Sequence, residues 1–285
     1  MISIVIPLYN KESVIKKTLD SILSQPFQDY EIVVVDDGST DNSVEVVKEY
    51  NDPKILLYSQ KNSGPSSARN FGVNKSNGDW IIFLDADDTL CPGALEVLIA
   101  PTMNYQDIDM VCGNFNIICG DKVRLQTLKS YKGIVPNKKR MKWFFMGDCY
   151  PRPGAALIKK ELLAKYPFPE ELRRYEDDYA MIQWTKYARS IYLLPDAVLN
   201  YSRDTAAASK PSKDYNKDLI FHLDFENASF WEKCILGLLY GSGLKNYPEQ
   251  KAFLKQKYGK FDFYRFFAKM HLISRLFTRR FILRK

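Results

Sequence analysis

The first hundred residues alternate between short apolar segments and segments with helical periodicity, which constrains the fold more than any other feature. Strands that are apolar at nearly every position are buried on both faces, so the pattern predicts a parallel sheet covered by helices. The predicted strands are residues 3–8, 31–35, 54–58 and 80–84, and the predicted helices between them are residues 11–24, 41–50 and 66–76.

We therefore expect an α/β fold with a mostly parallel, Rossmann-like sheet. With 285 residues, the chain can bury a large core. Nothing resembles a signal peptide, and no apolar run approaches the roughly 18 residues that span a bilayer. The five cysteines lack CxxC spacing and are expected to be reduced thiols. These features predict a cytoplasmic protein.

Polar residues collect where the predicted strands end. The first strand is followed by Tyr9 and Asn10, the second by residues 36–39, and the fourth by residues 85–88. Parallel strands end at one edge of their sheet, and ligands of α/β sheets bind beyond that edge. We expect these groups, together with residues 62–65 after the third strand, to face one crevice.

The segment Asp85-Ala86-Asp87-Asp88 places three carboxylates at the end of the fourth strand. Two unit charges about 4 Å apart repel by about 4 kcal/mol at an effective dielectric constant of about 20, so the cluster must be solvated, protonated or neutralised by a cation. Oxygen ligands suit Mg²⁺ or Mn²⁺, which keep coordination positions for phosphate oxygens. The alternative is an exposed acidic turn that caps a helix starting near Pro92.

Four motifs, in this order and spacing, resemble those of bacterial family 2 glycosyltransferases, which have the GT-A fold and use nucleotide-activated sugars. The resemblance implies a glycosyltransferase domain at residues 1–205, with a nucleotide-binding half at 1–100 and an acceptor-binding half at 101–205. The motifs are SIVIPLYN at 3–10, IVVVDDGSTDNS at 32–43, SGPSSARNFG at 63–72 and IIFLDADD at 81–88.

The resemblance assigns donor binding to residues at the first two strand ends. Asp37 is expected to accept a hydrogen bond from the uracil edge, and Tyr9 to offer a ring on which a base stacks, a contact of about 1–3 kcal/mol. The alternatives are a turn aspartate and a half-buried core tyrosine. Pro7 is expected to shape the strand end beside the nucleotide.

The remaining donor-side residues are charged. Arg69 pairs with a diphosphate or with nearby acidic groups. By resemblance, Asp85 meets the ribose or metal side, and Asp87 is the ligand through which Mn²⁺ or Mg²⁺ bridges to the diphosphate. Asp88 is expected to support the loop or to cap the next helix.

A fifth motif, RRYEDDYAMIQW at 173–184, resembles the family's acceptor-side Glu-Asp motif. The resemblance makes Asp177 the general base that deprotonates the acceptor hydroxyl, with Glu176 supporting the site or holding the acceptor. One base and a direct displacement imply inversion at the anomeric carbon. A third acid, Asp178, leaves the choice between Asp177 and Asp178 open, and the alternative is a plain acidic helix N-terminus. Arg152, Arg203 and His222 are weaker candidates.

Residues 206–285 are expected to form a helical extension that is basic and aromatic. From residue 245 onward there are twelve Lys or Arg against two acids, a net charge of about +10, whereas the whole chain carries +7. An aromatic helix face with basic flanks at 260–285 predicts peripheral contact with a membrane at its inner face, or packing on the body or a protein partner. Nucleic-acid binding is not expected.

The sequence as a whole predicts an inverting transferase that moves a sugar from a nucleoside diphosphate donor, preferably a UDP-sugar, to a hydroxyl of a glycan or lipid-linked acceptor in surface polysaccharide synthesis. Two alternatives remain. A catalytically silent scaffold subunit would keep the fold, and a sugar nucleotidyltransferase would need a glycine-rich loop after the first strand, where residues 8–11 supply none.

Overall fold

The computed structural model describes residues 1–120, 122–126, 131–146, 152–203 and 214–270. Within these ranges the strands are β1 Ile2–Leu8, β2 Tyr30–Asp36, β3 Ile55–Ser59, β4 Trp80–Phe83, β5 Thr89–Leu90, β6 Met110–Cys119, β7 Lys122–Gln126, β8 Gly133–Ile134, β9 Ala156–Lys159 and β10 Ile191–Ser202. They form one sheet in the order β3-β2-β1-β4-β9-β6-β10-β5, with β7 beside β6 and β8 beside β10.

The four N-terminal strands are parallel, as the sequence predicts. β1 lies between β2 and β4, with Ile4 beside Ile32 on one side and Ile82 on the other. β3 extends this half beyond β2. The strands therefore end at a single edge of the sheet, and the polar segments that follow them meet there.

The second half of the sheet is mixed, which refines the expectation of a mostly parallel sheet. β9 runs antiparallel to both β4 and β6, and so joins the two halves. β10 is parallel to β6 but antiparallel to the short β5 and β8. Residues 110–119 form the single ten-residue β6.

Helices cover both faces of the sheet because its strands are apolar on both sides. The helices are α1 Ile15–Leu23, α2 Ser43–Lys48, α3 Pro65–Lys75, α4 Ala94–Asn104, α5 Arg140–Met146, α6 Lys160–Lys165, α7 Glu176–Tyr187, α8 Phe230–Asn246 and α9 Lys251–Tyr258. Alternate residues of β1 face opposite cores: Ile4 and Ile6 share a core with α1 and α4, whereas Val5 shares one with α3 and α7.

The described part of the chain after residue 214 is helical and forms its own apolar core. This C-terminal region, residues 214–270, contains α8, α9 and a last helix at 262–270. Its core is built around Phe225, Tyr240 and Tyr258, and it also takes in Leu172 from the body of the protein. None of the helices in the described ranges has the length and apolar character needed to cross a membrane.

Candidate active site

The turns after β1 and β2 are tied together at the carboxyl edge of the sheet. Asn10 adopts a left-handed conformation with φ 50°, and its side-chain oxygen accepts from the Thr40 backbone N–H at 2.8 Å. The Asn10 N–H in turn donates to the Ser39 hydroxyl at 3.1 Å. Tyr9, which directly follows β1, is 47% exposed, so its ring is accessible to a stacking partner. Pro7 lies within β1, beside Val35 of β2.

Asp37 organises the loop that leads from β3 into α3. One carboxylate oxygen accepts from the Gln60 side chain at 2.8 Å and from the Ser63 N–H at 2.7 Å. The other accepts from the Gly64 N–H at 2.8 Å. These three bonds occupy most of the roughly four acceptor positions of a carboxylate. Recognition of a nucleotide base by Asp37 stays a prediction, because it depends on the remaining position.

Gly64 is required where this loop enters α3. Its φ is +91°, and a Cβ built there would lie 1.4 Å from Nη1 of Arg173, whose guanidinium donates to the Ser63 carbonyl at 2.6 Å. The loop is therefore in direct contact with Arg173, which belongs to the second half of the chain. Only glycine combines the left-handed backbone with the missing side chain.

Arg69, on α3, connects the two halves of the site. Its guanidinium is buried and donates from Nη1 to Asp177 at 2.9 Å and from Nη2 to Asp85 at 2.8 Å. Its Cζ also lies 5.0 Å from the centre of the Phe168 ring. The sequence left open whether Arg69 pairs with a diphosphate or with nearby acids, and the structure pairs it with acids. Direct contact between Arg69 and a nucleotide stays a prediction.

Asp177 and Glu176 lie in the first turn of α7. The pKa of Asp177 is raised to about 6, because surrounding protein desolvates the carboxylate and Asp85, Glu176 and Asp178 add negative charge, whereas Arg69 opposes the shift. The side chain nevertheless keeps 42% of its surface exposed. A reachable carboxylate that titrates near neutral pH suits a general base.

Asp87 is paired with a cation of the chain itself. Its Oδ2 accepts from the Lys11 ammonium at 2.6 Å, and its side chain is 12% exposed. The contact with the Lys11 ammonium shows that the Asp87 carboxylate can pair with a cation at this position. Carboxylate oxygens are also suitable ligands for Mn²⁺ or Mg²⁺. Among the described residues, no group of three or more His, Cys, Asp or Glu is arranged as a complete metal site. An ion at Asp87 would therefore need further ligands, such as diphosphate oxygens and water.

Asp88 supports the loop, which is one of the two roles expected for it from the sequence. Its Oδ1 accepts from the backbone N–H of Ser202 at 2.8 Å, which fixes the end of β10 to the acidic segment. Burial, with the charges of Asp85 and Asp87, raises the pKa of Asp88 to about 8, against the opposing effects of the Ser202 bond and Arg152.

The weaker candidates have other positions. Arg152 stacks over the rings of Tyr201 and Phe115, at 3.7 Å and 5.2 Å from their centres. The Arg203 backbone N–H donates to the Ile118 carbonyl. His222 lies in the C-terminal region, where its Nε2 is 3.1 Å from the Asn216 carbonyl oxygen.

Sequence reasoning missed Lys11 and Arg173. Lys11 directly follows the first strand's polar end, a signal that could have suggested a cation at the crevice. Arg173 precedes the acidic motif, but its contact with residues 63–64 joins positions about 110 apart in the chain. Local spacing carries no information on such a pair.

A cavity of about 340 Å³ is lined by residues of α7 and of the C-terminal region. Tyr179 and Gln183 line it from α7, three and seven residues after Glu176, so all three lie on one side of the helix. His222 and Asn227 line it from the C-terminal region. The cavity therefore begins about one helical turn from the acidic motif.

The chain is similar in sequence to known glycosyltransferases. The model of the family "Glycosyl transferase family 2" matches residues 3–167. Glycosyltransferase GlyG of Streptococcus pneumoniae is 29% identical over 227 residues, which cover 75% of this chain and 74% of GlyG. Glycosyltransferase GlyA of the same organism is 42% identical over 116 residues, but the chain spans only 16% of its length.

The fold also matches solved structures. Residues 1–349 of Staphylococcus aureus TarS in complex with UDP-GlcNAc align with a TM-score of 0.61 and 22% sequence identity, covering 84% of this chain and 66% of that one. The complex of the same fragment with UDP gives a TM-score of 0.62. At this identity the likeness shows a shared fold.

Proposed function

The chain belongs to glycosyl transferase family 2, and we propose that it is a metal-dependent, inverting hexosyl- or N-acetylhexosaminyltransferase. Its donor would be a nucleoside diphosphate sugar, preferably a UDP-sugar, and its acceptor a hydroxyl of a glycan or glycolipid in bacterial surface polysaccharide synthesis. The structural neighbour bound to UDP-GlcNAc supports this donor class.

The observation that carries the proposal is the chain of charges from Asp85 through Arg69 to Asp177. Asp85 follows a strand of the predicted nucleotide-binding half, and Asp177 lies in the first turn of a helix of the predicted acceptor-binding half. One buried guanidinium holds both, at 2.8 and 2.9 Å. The arrangement brings a base that titrates near pH 6 next to the edge of the sheet where a donor would bind.

In the proposed reaction, Asp177 takes the proton of the acceptor hydroxyl as its oxygen attacks the anomeric carbon. The new carbon–oxygen bond forms on the face opposite the leaving group, and the bond from the anomeric carbon to the diphosphate breaks with its electron pair on the departing oxygen. This displacement inverts the anomeric configuration. Tyr9 and Asp37 would hold the base of the nucleotide. Mn²⁺ or Mg²⁺ at Asp87 would supply charge neutralisation for the diphosphate.

The exposed face of the last described helix supports peripheral membrane contact near a lipid-linked acceptor. Phe263, Phe266 and Met270 are each more than half exposed, with Lys269 beside them. Phe267, in contrast, packs against Phe230 of α8, with 5.3 Å between the ring centres, so part of the predicted aromatic face is covered within the C-terminal region. The predicted tail beyond residue 270 lies outside the described residues.

Two measurements together distinguish the proposal from its two alternatives: a thermal-shift series with UDP, GDP, dTDP and CDP, each with Mn²⁺ or EDTA, and an assay of turnover. A ligand at about 100 times its Kd adds about 2.7 kcal/mol to the free energy of unfolding. We expect Mn²⁺-dependent stabilisation by UDP, and release of UDP from UDP-GlcNAc. UDP binding without turnover would favour the scaffold, whereas turnover of a nucleoside triphosphate and a sugar phosphate would favour the nucleotidyltransferase.

A further inference from the structure

The turn before the acidic motif has an unusual backbone. Tyr175, the residue before α7, has φ 61°, a left-handed conformation that bulky side chains rarely adopt, and no side chain caps the helix here. This turn sets the direction in which Glu176 and Asp177 leave the loop. Backbone strain of this kind persists only where the surroundings hold it in place.

The C-terminal region holds the backbone on the approach to this turn. The Arg173 N–H donates to the Lys217 carbonyl at 2.7 Å, and the Leu219 N–H donates to the Arg174 carbonyl at 3.4 Å. These bonds form a parallel bridge between Arg174 and Asp218. The two residues that precede Tyr175 are therefore paired with the C-terminal region as in a short sheet.

A buried ion pair reinforces the bridge. The Asp218 side chain is fully buried, and its Oδ2 lies 3.5 Å from Nη1 of Arg174. The hydroxyl of Tyr247 also donates to Oδ2, and the Ile220 N–H donates to Oδ1 at 2.9 Å. Removing one partner of a buried pair leaves the other charge without compensation.

The side chain of Tyr175 makes two contacts, one through its ring and one through its hydroxyl. The Arg174 guanidinium lies over its ring, with Cζ 4.8 Å from the ring centre. Its hydroxyl lies 2.8 Å from the hydroxyl of Ser242 on α8. The hydroxyl of this strained residue, and the backbone of the two residues before it, thus contact the C-terminal region.

We propose that the C-terminal region is part of the catalytic apparatus, because Asp218 and Ser242 are positioning residues that hold the turn at Tyr175 and thereby aim Asp177. The inference rests on the proposed function, which makes Asp177 the base. It gives residues 214–247 a role in the chemical step, separate from nucleotide binding at the far side of the crevice.

The test compares Ser242→Ala and Asp218→Asn with the control Glu226→Gln. Glu226 also lies in the C-terminal region, but its carboxylate pairs with Lys260 at the surface. UDP affinity and the number of UDP sites are measured by calorimetry with Mn²⁺. UDP release from UDP-GlcNAc, with water as acceptor, then gives kcat per UDP site. Hydrogen exchange of residues 172–179 reports whether the turn has loosened.

We expect Ser242→Ala and Asp218→Asn to lower kcat per UDP site about tenfold or more, with the Kd for UDP within twofold of wild type and faster exchange at 172–179. The control should match wild type in all three. Unchanged kcat per site in both variants, or a parallel loss of UDP affinity, would overturn the positioning role. If Asp218→Asn does not fold, Ser242→Ala, which leaves the ion pair intact, decides. A wild-type protein that binds UDP but releases none from a panel of UDP-hexoses and UDP-N-acetylhexosamines would refute the proposed function itself.

Discussion

Replacing Arg69 by methionine removes the only cation that the structure places between Asp85 and Asp177 within its described part. The guanidinium nitrogens lie 2.8 and 2.9 Å from the two carboxylates. Unit charges about 4 Å apart attract by about 4 kcal/mol at an effective dielectric constant of about 20 and by about 1 kcal/mol in water. Because Asp177 is 42% exposed, solvent screening reduces the lost attraction to about 1–3 kcal/mol.

Loss of this attraction makes Asp177 harder to ionise. At 1.36 kcal/mol for each pKa unit, the pKa should rise by about 1–2 units, from about 6 to about 7–8. The ionised fraction of Asp177 at pH 7 would fall from about nine-tenths to between about one-half and one-tenth. A base must be ionised to accept a proton, so the acid limb of the rate profile should move to higher pH.

The assay is the pH dependence of UDP release from UDP-GlcNAc between pH 5 and 9 for wild type and Arg69→Met. Arg69→Lys keeps the charge but not the forked geometry, so its acid limb should lie between the two. The control Lys75→Met removes an exposed cation from the same helix and should leave the limb in place. A folded Arg69→Met protein whose acid limb is unchanged, or lies at lower pH, would refute the electrostatic role of Arg69.

Three further changes test the donor side of the crevice. Tyr9→Ala should weaken UDP binding by about 1–3 kcal/mol, or about 5- to 150-fold in Kd, if the base stacks on this ring; an unchanged Kd by calorimetry would place the base elsewhere. Gly64→Ala should lower the free energy of unfolding by about 1–3 kcal/mol, because it strains a backbone at φ +91° and collides with Arg173; denaturation at the wild-type midpoint would contradict this. Asp87→Asn should abolish the Mn²⁺-dependent part of the UDP thermal shift. A shift equal to that of wild type would show that Asp87 is not a metal ligand.

The N-terminal half of the fold could be predicted because its signals are local. Apolar runs mark β1, β2 and β4, and their polar ends identify the edge of the sheet where the candidate site lies. β9 could not be placed in the same way. It pairs in the opposite direction with β4, some 75 residues earlier in the chain, and its four residues carry no information about direction.

The same distinction between local signals and distant pairings applies to the candidate site. Asp37, Asp87 and Asp177 could be named as candidates because each belongs to a motif of neighbouring residues. A pairing of Arg69 with nearby acids was one of two expectations, but the particular partners could not be predicted: Arg69 and Asp177 are 108 positions apart, and Lys11 and Asp87 are 76 apart. Such ion pairs depend on how helices pack against the sheet, which hydrophobic periodicity does not encode.

Transfer chemistry at Asp177 is the central claim, and the most direct measurement is the initial rate of UDP release from UDP-GlcNAc with Mn²⁺ for wild type, Asp177→Asn and Asp178→Asn. A positioned general base contributes about 10²- to 10⁴-fold, so Asp177→Asn should lose at least about 100-fold while its affinity for UDP stays within twofold. Asp178→Asn should keep most of the rate. Release at the wild-type rate by Asp177→Asn, or a loss confined to Asp178→Asn, would contradict the assignment.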